Sequence, residues 1–260
     1  MATILGMKDT LAEVGARFER APLTQTVFLN CVPKSGTHLI RNVLRMFVPE
    51  EQQWHKAFIQ IPNLRENRAA WAKDRRFLSW GHLLFSDDSV LGLQGARHVV
   101  LVRDPYDWVI ARARFYLSDE FQGSLNTIKN GAVSAEEVFN MMIFGVYEKA
   151  PTLLDIYTFN AVAWMGTSTR IVRYEELKAA ASDVGSRASE RYFEDLLDYC
   201  GIAMTGDWRE RVEAGADRKA SRTARENLKV SMALPDELPQ MQKRLVDFAA
   251  PGLRALLGYQ

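Results

Sequence analysis

Lys34, Ser35 and Thr37 fall within four residues of one another in the stretch Val32-Pro-Lys-Ser-Gly-Thr-His38. Together they offer an ammonium, two hydroxyls and, at Gly36, a backbone free to turn where a side chain would obstruct it. Side chains of this kind, gathered around a tight turn, hold anions, and phosphate above all. Three further places carry chemistry. His82 follows Gly81 and can exchange a proton near neutral pH. Arg103 ends the aliphatic run His98-Val-Val-Leu-Val102, where a planar cation can meet an anion. The pair Arg218-Lys219 lies in a strongly charged stretch from Asp207 to Asn227, which reads either as a solvated face or as an arginine-bearing flap over a charged ligand.

The elements around these residues explain how they would be positioned. Val27 to Val32 is mostly apolar and β-prone, long enough for one buried strand. Pro33 to Gly36 break the pattern and mark a turn. From Thr37 the apolar residues Leu39, Ile40, Val43, Leu44 and Phe47 trace the core face of a helix, with Arg41, Asn42 and Arg45 expected on its other side. Strand, turn and helix in that order direct unpaired N–H groups and the positive end of a helix dipole at one point. A Walker A loop places its lysine after its last glycine; here Lys34 precedes Gly36.

Phe77 to His82 reads as a second strand, one that would deliver His82 to the carboxyl edge of a parallel sheet. His98 to Val102 is the clearest strand, and Asp104-Pro105 supply an N-cap and a first-turn proline for the helix after it. Arg170 to Tyr174 reads as another strand. Ser134-Ala-Glu-Glu137 is a capping box. Helices are also expected over roughly residues 153–164, 187–200 and 238–257, the last broken near Pro251. The alternation of strands and helices predicts a single α/β domain over residues 1–260, with a mainly parallel, P-loop-like sheet. The strands near 27–32, 98–102 and 170–174 should be neighbours in it.

Composition narrows the function classes. Of 260 residues, 33 are Lys or Arg and 32 are Asp or Glu, so no global field draws in nucleic acid or a membrane surface. Anion binding must come from local clusters. Cys31 and Cys200 have no metal-ligand spacing, and four scattered histidines add no zinc pattern. No apolar run approaches the length of a transmembrane helix, and the first residues lack a signal design, so a cytoplasmic location is expected.

Taken in order, these segments resemble those of sulfotransferases that use 3′-phosphoadenosine 5′-phosphosulfate (PAPS). Pro33 to Thr37 is similar to the family's 5′-phosphosulfate loop. Arg103-Asp-Pro-Tyr-Asp107 resembles the start of its 3′-phosphate segment. Arg173-Tyr-Glu-Glu-Leu177 resembles the stretch whose tyrosine lies near adenine, and Arg218-Lys219-Ala220 the Arg-Lys-Gly that closes on the 3′-phosphate. Gly81-His82-Leu83 is similar to the segment carrying the catalytic histidine. The resemblance implies His82 as general base, with Lys34 stabilising the leaving phosphate. It also implies donor contacts from Lys34, Ser35, Gly36, Thr37, His38, Arg103, Tyr174, Arg218 and Lys219. The reaction implied is sulfuryl transfer to a hydroxyl or amine of a small or amphipathic acceptor, releasing adenosine 3′,5′-bisphosphate (PAP), with no metal required. The chain departs from the family pattern at four positions. Trp80 replaces a lysine two residues before the histidine, and Ala111 replaces a serine donor. Leu39 replaces an aromatic, and His38 stands where a threonine is frequent. An ATP-using phosphotransferase and a non-catalytic nucleotide-binding protein are the alternative readings.

Overall fold

The computed structural model describes residues 3–4, 10–72, 74–123, 125–220 and 228–260. In chain order the elements begin with β1 (Thr3–Ile4), α1 (Leu11–Gly15), β2 (Val27–Cys31) and α2 (Thr37–Arg45). Next come β3 (Leu78–Gly81), α3 (Asp87–Gly92), β4 (Arg97–Val102), α4 (Pro105–Leu117), β5 (Phe121–Gln122) and α5 (Ala135–Phe144). The remainder is α6 (Leu153–Asn160), β6 (Arg170–Arg173), α7 (Tyr174–Ser182), α8 (Arg187–Tyr199), α9 (Trp208–Ala216), α10 (Gln240–Ala249) and α11 (Leu253–Leu256). The chain divides into two compact units, Asp9–Val102 with Phe159–Ala220, and Met1–Lys8 with Arg103–Thr158 and Ser221–Gln260.

The first unit holds the parallel sheet, in the order β3-β2-β4-β6. Strands β2, β4 and β6 are consecutive neighbours, as the sequence implied, with Val27 opposite Arg97 and Val99 opposite Arg170. Every residue of β2 is buried, and so is β4 from His98 onward. This explains their nearly unbroken apolar composition, since a parallel strand is covered on both faces. Helices α2, α7, α8 and α9 contribute to the same core, with Ile40, Val43, Leu44, Leu177, Phe193, Leu196 and Val212 buried together.

Two sequence expectations change here. The side of α2 assigned to polar residues is not solvated: Asn42 and Arg45 are 1% and 2% exposed. Arg45 donates from Nε to Gln53 Oε1 at 2.6 Å, and Gln53 Nε2 donates back to the Arg45 carbonyl at 3.2 Å. The charged stretch from Asp207 also begins with a packed helix, α9, rather than a flap. Arg211 is buried, donating to both Asp207 carboxylate oxygens and to the carbonyls of Met46 and Glu19. A Cβ on Gly215 would stand 2.5 Å from Val43 Cα, so α9 lies directly on α2. Of the expected flap, the described residues hold only Asp217 to Ala220; residues 221–227, with Arg222 and Arg225, lie outside them.

The second unit is mainly helical. Asp104 caps α4 through the N–H of Tyr106 at 2.9 Å, Pro105 takes the first position, and Arg254 pairs with Asp104 at 2.9 Å. Ser134 and Glu137 form the expected capping box on α5. Buried Arg112 on α4 donates to the carbonyls of Met142 and Pro151, tying α5 to the chain that enters α6. Among the described residues, no helix is long and apolar enough to cross a membrane.

Candidate active site

Strand β2 ends at Cys31, and the chain turns through Pro33 to Gly36 into the first residue of α2, Thr37. The turn needs positive φ at two residues, 69° at Lys34 and 100° at Gly36. Glycine adopts such a conformation at little cost, whereas lysine bears strain of the kind found where a loop is shaped for a ligand. Gly36 meets a second demand as well. A Cβ there would lie 2.4 Å from Tyr174 Cδ2 and 2.7 Å from its Cε2, so the Tyr174 ring rests on the bare backbone of the loop.

The loop carries the features of an anion cradle. Ser35 is completely buried, yet its Oγ has no hydrogen-bond partner within the protein. A buried hydroxyl in that state carries a desolvation cost that a bound oxyanion would relieve. The N-terminal N–H groups of α2 open onto the same turn, where the helix dipole adds positive potential. Burial draws the Lys34 pKa from 10.5 down to about 7. A bound anion would restore its charge.

His82 stands beside this loop. Its ring Nδ1 is 2.7 Å from the Cys31 carbonyl. A carbonyl only accepts, so Nδ1 carries the proton and Nε2 keeps its lone pair. Burial, followed by the nearby charge of Lys34, lowers the His82 pKa to about 4, against the opposing pull of the Cys31 carbonyl. The imidazole is therefore neutral at physiological pH. Its backbone is fixed on both sides. The His82 N–H donates to the Ile59 carbonyl at 3.1 Å, and the buried Asn30 amide forms two 2.9 Å bonds with the backbone of Leu83. Gly81 is glycine because a Cβ would come within 2.0 Å of the Ile59 oxygen. Phe58 meets the His82 ring edge-on, with centroids 4.6 Å apart.

No family model matches the chain, and no curated protein matches it in sequence. Among solved structures, it is similar to mouse sulfotransferase SULT7A1 complexed with PAP, at 14% identity over 97% of this chain and 94% of that one, with a TM-score of 0.58. This chain has the sulfotransferase fold. Retinol dehydratase in complex with androsterone and the inactive cofactor PAP also matches, at 14% identity over 92% of this chain and 84% of that one, with a TM-score of 0.48.

In this sulfotransferase fold the residues singled out from the sequence separate into groups. Lys34, Ser35, Gly36, Thr37, His38, His82 and Tyr174 gather at the β2–α2 loop and the neighbouring strand ends. Thr37 bonds the Cys31 thiol, whose pKa burial pushes up to about 12. Arg218 and Lys219 occupy the short exposed turn Arg218–Ala220. Lys219 lines an open cleft of about 570 Å³ with Leu11, Val14, Arg17, Glu213 and Asp217, and the loop residues do not line it. Arg103 follows β4 and belongs to the helical unit, where its carbonyl accepts the Tyr157 hydroxyl at 2.8 Å.

Three residues of the site were not foreseen. Asn30 reads as a break in an apolar strand, and Phe58 comes from a segment with no period of its own. Arg41, assigned to the outer side of α2, instead lies over the Trp80 ring at 5.3 Å. Its spacing of three from His38 and four from Thr37 was the available signal.

Proposed function

We propose that the chain is a cytoplasmic PAPS-dependent sulfotransferase, acting through residues 1–260 as one sulfotransferase-like domain. It would transfer a sulfuryl group to a hydroxyl or amine of a small or amphipathic acceptor. The observation that carries this reading is the contact between His82 Nδ1 and the Cys31 carbonyl. Through it the last residue of β2 sets the tautomer of the base, while the next residues of the same chain form the anion loop. The same backbone segment thus orients a base and cradles an anion.

The donor supplies an activated sulfuryl group on a phosphate leaving group. Lys34, the Ser35 hydroxyl, the N–H groups at Gly36 and Thr37, and His38 hold its 5′ end. Tyr174, resting on Gly36, offers its ring to the adenine. Arg103, Arg218 and Lys219 are the cations proposed for the 3′-phosphate. His82 Nε2 takes the acceptor proton as the new oxygen–sulfur or nitrogen–sulfur bond forms and the bond from sulfur to the phosphate oxygen breaks. Negative charge then gathers on that phosphate oxygen, beside Lys34 and the helix N-terminus, whose positive field is already in place. Binding the anionic donor would return the Lys34 proton, and the donor's negative charge would oppose both the burial and the Lys34 charge that depress the His82 pKa.

The test is a panel of phenols, aliphatic alcohols and amines incubated with PAPS, with mass-spectrometric detection of an added sulfuryl group. His82→Ala should lower turnover by roughly 10²–10⁴-fold and leave PAP affinity nearly unchanged. Transfer at the wild-type rate by that variant would remove His82 from the mechanism. PAP binding with no turnover across the panel would favour the non-catalytic reading.

A further inference from the structure

Two imidazoles flank the loop, and their first hydrogen bonds fix opposite tautomers. His82 Nδ1 faces a carbonyl and must donate, which leaves Nε2 as an acceptor. His38 Nδ1 lies 3.3 Å from Nη2 of Arg41. A guanidinium only donates, so His38 Nδ1 accepts and the ring proton sits on Nε2. Arg41 is itself oriented. Its Nε and Nη2 each reach Asn42 Oδ1 at 3.1 Å, and its guanidinium lies over the face of Trp80, 5.3 Å from the centroid. Asn42 is buried and Trp80 is 5% exposed, so both supports are rigid. The charge of Arg41 also reaches the Cys31 thiol at the base of the loop.

We propose that Arg41 is a positioning residue for donor binding: it holds His38 as an Nε2–H donor aimed at the 5′ anion, as Cys31 holds His82 in the complementary state. This rests on the donor reading above. His38 is the second residue of α2, in the first turn of the helix that follows the loop holding the unpartnered Ser35 hydroxyl. A histidine there is useful to an anion only in the tautomer that presents N–H. The Trp80–Arg41–His38 series ensures that state without requiring the imidazole to be charged. A threonine would need no such support, whereas a histidine does.

The experiment uses the full chain and two nucleotides, PAP and adenosine 3′-phosphate, which lacks the 5′ group. Long-range ¹H–¹⁵N spectra of the histidine side chains, assigned with His38→Ala, should show His38 as the Nε2–H tautomer in the wild type. Arg41→Met should lose that signature, and Arg41→Lys should retain it. By calorimetry, Arg41→Met should bind PAP about tenfold more weakly, the loss of one charge-assisted contact, with adenosine 3′-phosphate unaffected. His38→Ala should lose a similar factor, and the double variant should be no weaker than either single one, because the two act as a unit. Additive losses, equal weakening of both nucleotides, or an Nδ1–H His38 in the wild type would overturn this assignment alone. A wild-type protein that binds no PAP would overturn the donor reading and this assignment together.

Discussion

Replacing Lys34 by methionine should stabilise the protein while removing its affinity for PAP. Both residues tolerate the φ of 69° equally poorly, so the backbone strain cancels in the comparison and the charge remains. Burial moves the lysine pKa from 10.5 to about 7. Below the folded value both states carry the proton, and the folded protein bears the full cost of burying it. Between the two values the unfolded chain holds more protons, so wild-type stability rises with pH; above the unfolded value the cost is gone. At ~1.36 kcal/mol per pKa unit, the fall corresponds to on the order of 5 kcal/mol. Part of Lys34 remains open to solvent, and relaxation and screening there reduce the effect to about 2 kcal/mol. Urea unfolding of both proteins from about pH 6.5 to about pH 9.5 provides the assay. The methionine variant should lead by about 2 kcal/mol at the acid end, with the lead shrinking steadily as pH rises. A lead that stays constant or grows would refute the burial of an ionisable lysine in this loop.

PAP binding at about pH 8 should take up close to one proton as Lys34 regains its charge, which calorimetry in buffers of different ionisation enthalpy measures; no uptake would place the anion elsewhere. Gly36→Ala combines a left-handed φ with a Cβ 2.4 Å from the Tyr174 ring. It should cost about 1–3 kcal/mol in thermal unfolding and weaken PAP binding. Gly215→Ala drives a methyl onto Val43 of α2 and should destabilise by about 1–3 kcal/mol, with its effect on PAP affinity following only from any shift of α2.

The strand, loop and helix at residues 27–47 were legible because each obeys a local rule: a continuous apolar run, then a proline and a glycine, then a helical period. Asp104-Pro105 and Ser134 were legible for the same reason, since caps are written within a few residues of the elements they start. What escaped depends on partners distant in the chain. Arg211 looks like a surface charge until the carbonyls of Met46 and Glu19 reach it, and Arg45 until Gln53 does. Gly215 hides a helix contact, because a residue without a side chain adds nothing to an apolar count. His82 could be placed at a strand end from sequence. Its tautomer could not, because the Cys31 carbonyl that decides it belongs to another strand.

The strand that carries His82 is the outermost of the sheet on its side, and its rim is closed by a chain that touches it twice, at Leu78 through Gln53 and at Gly81 through Ile59. Between those two anchor points five residues, 54–58, face only two of the strand, so the backbone bows; Trp54 at its start still donates its N–H to the Leu78 carbonyl, and Phe58 on the His82 ring is its last residue. Both ends of the bow are fastened, and the imidazole hangs from a different carbonyl. Residues 55–58 of the bow can be exchanged, or the bow lengthened there, without unfastening either the strand or the base, whereas Trp54, buried and bonded to Leu78 and Asn67, belongs to the fastening. Such an arrangement lets selection alter the company His82 keeps, and with it the molecules admitted to the base, while the proton-handling atom stays where it is.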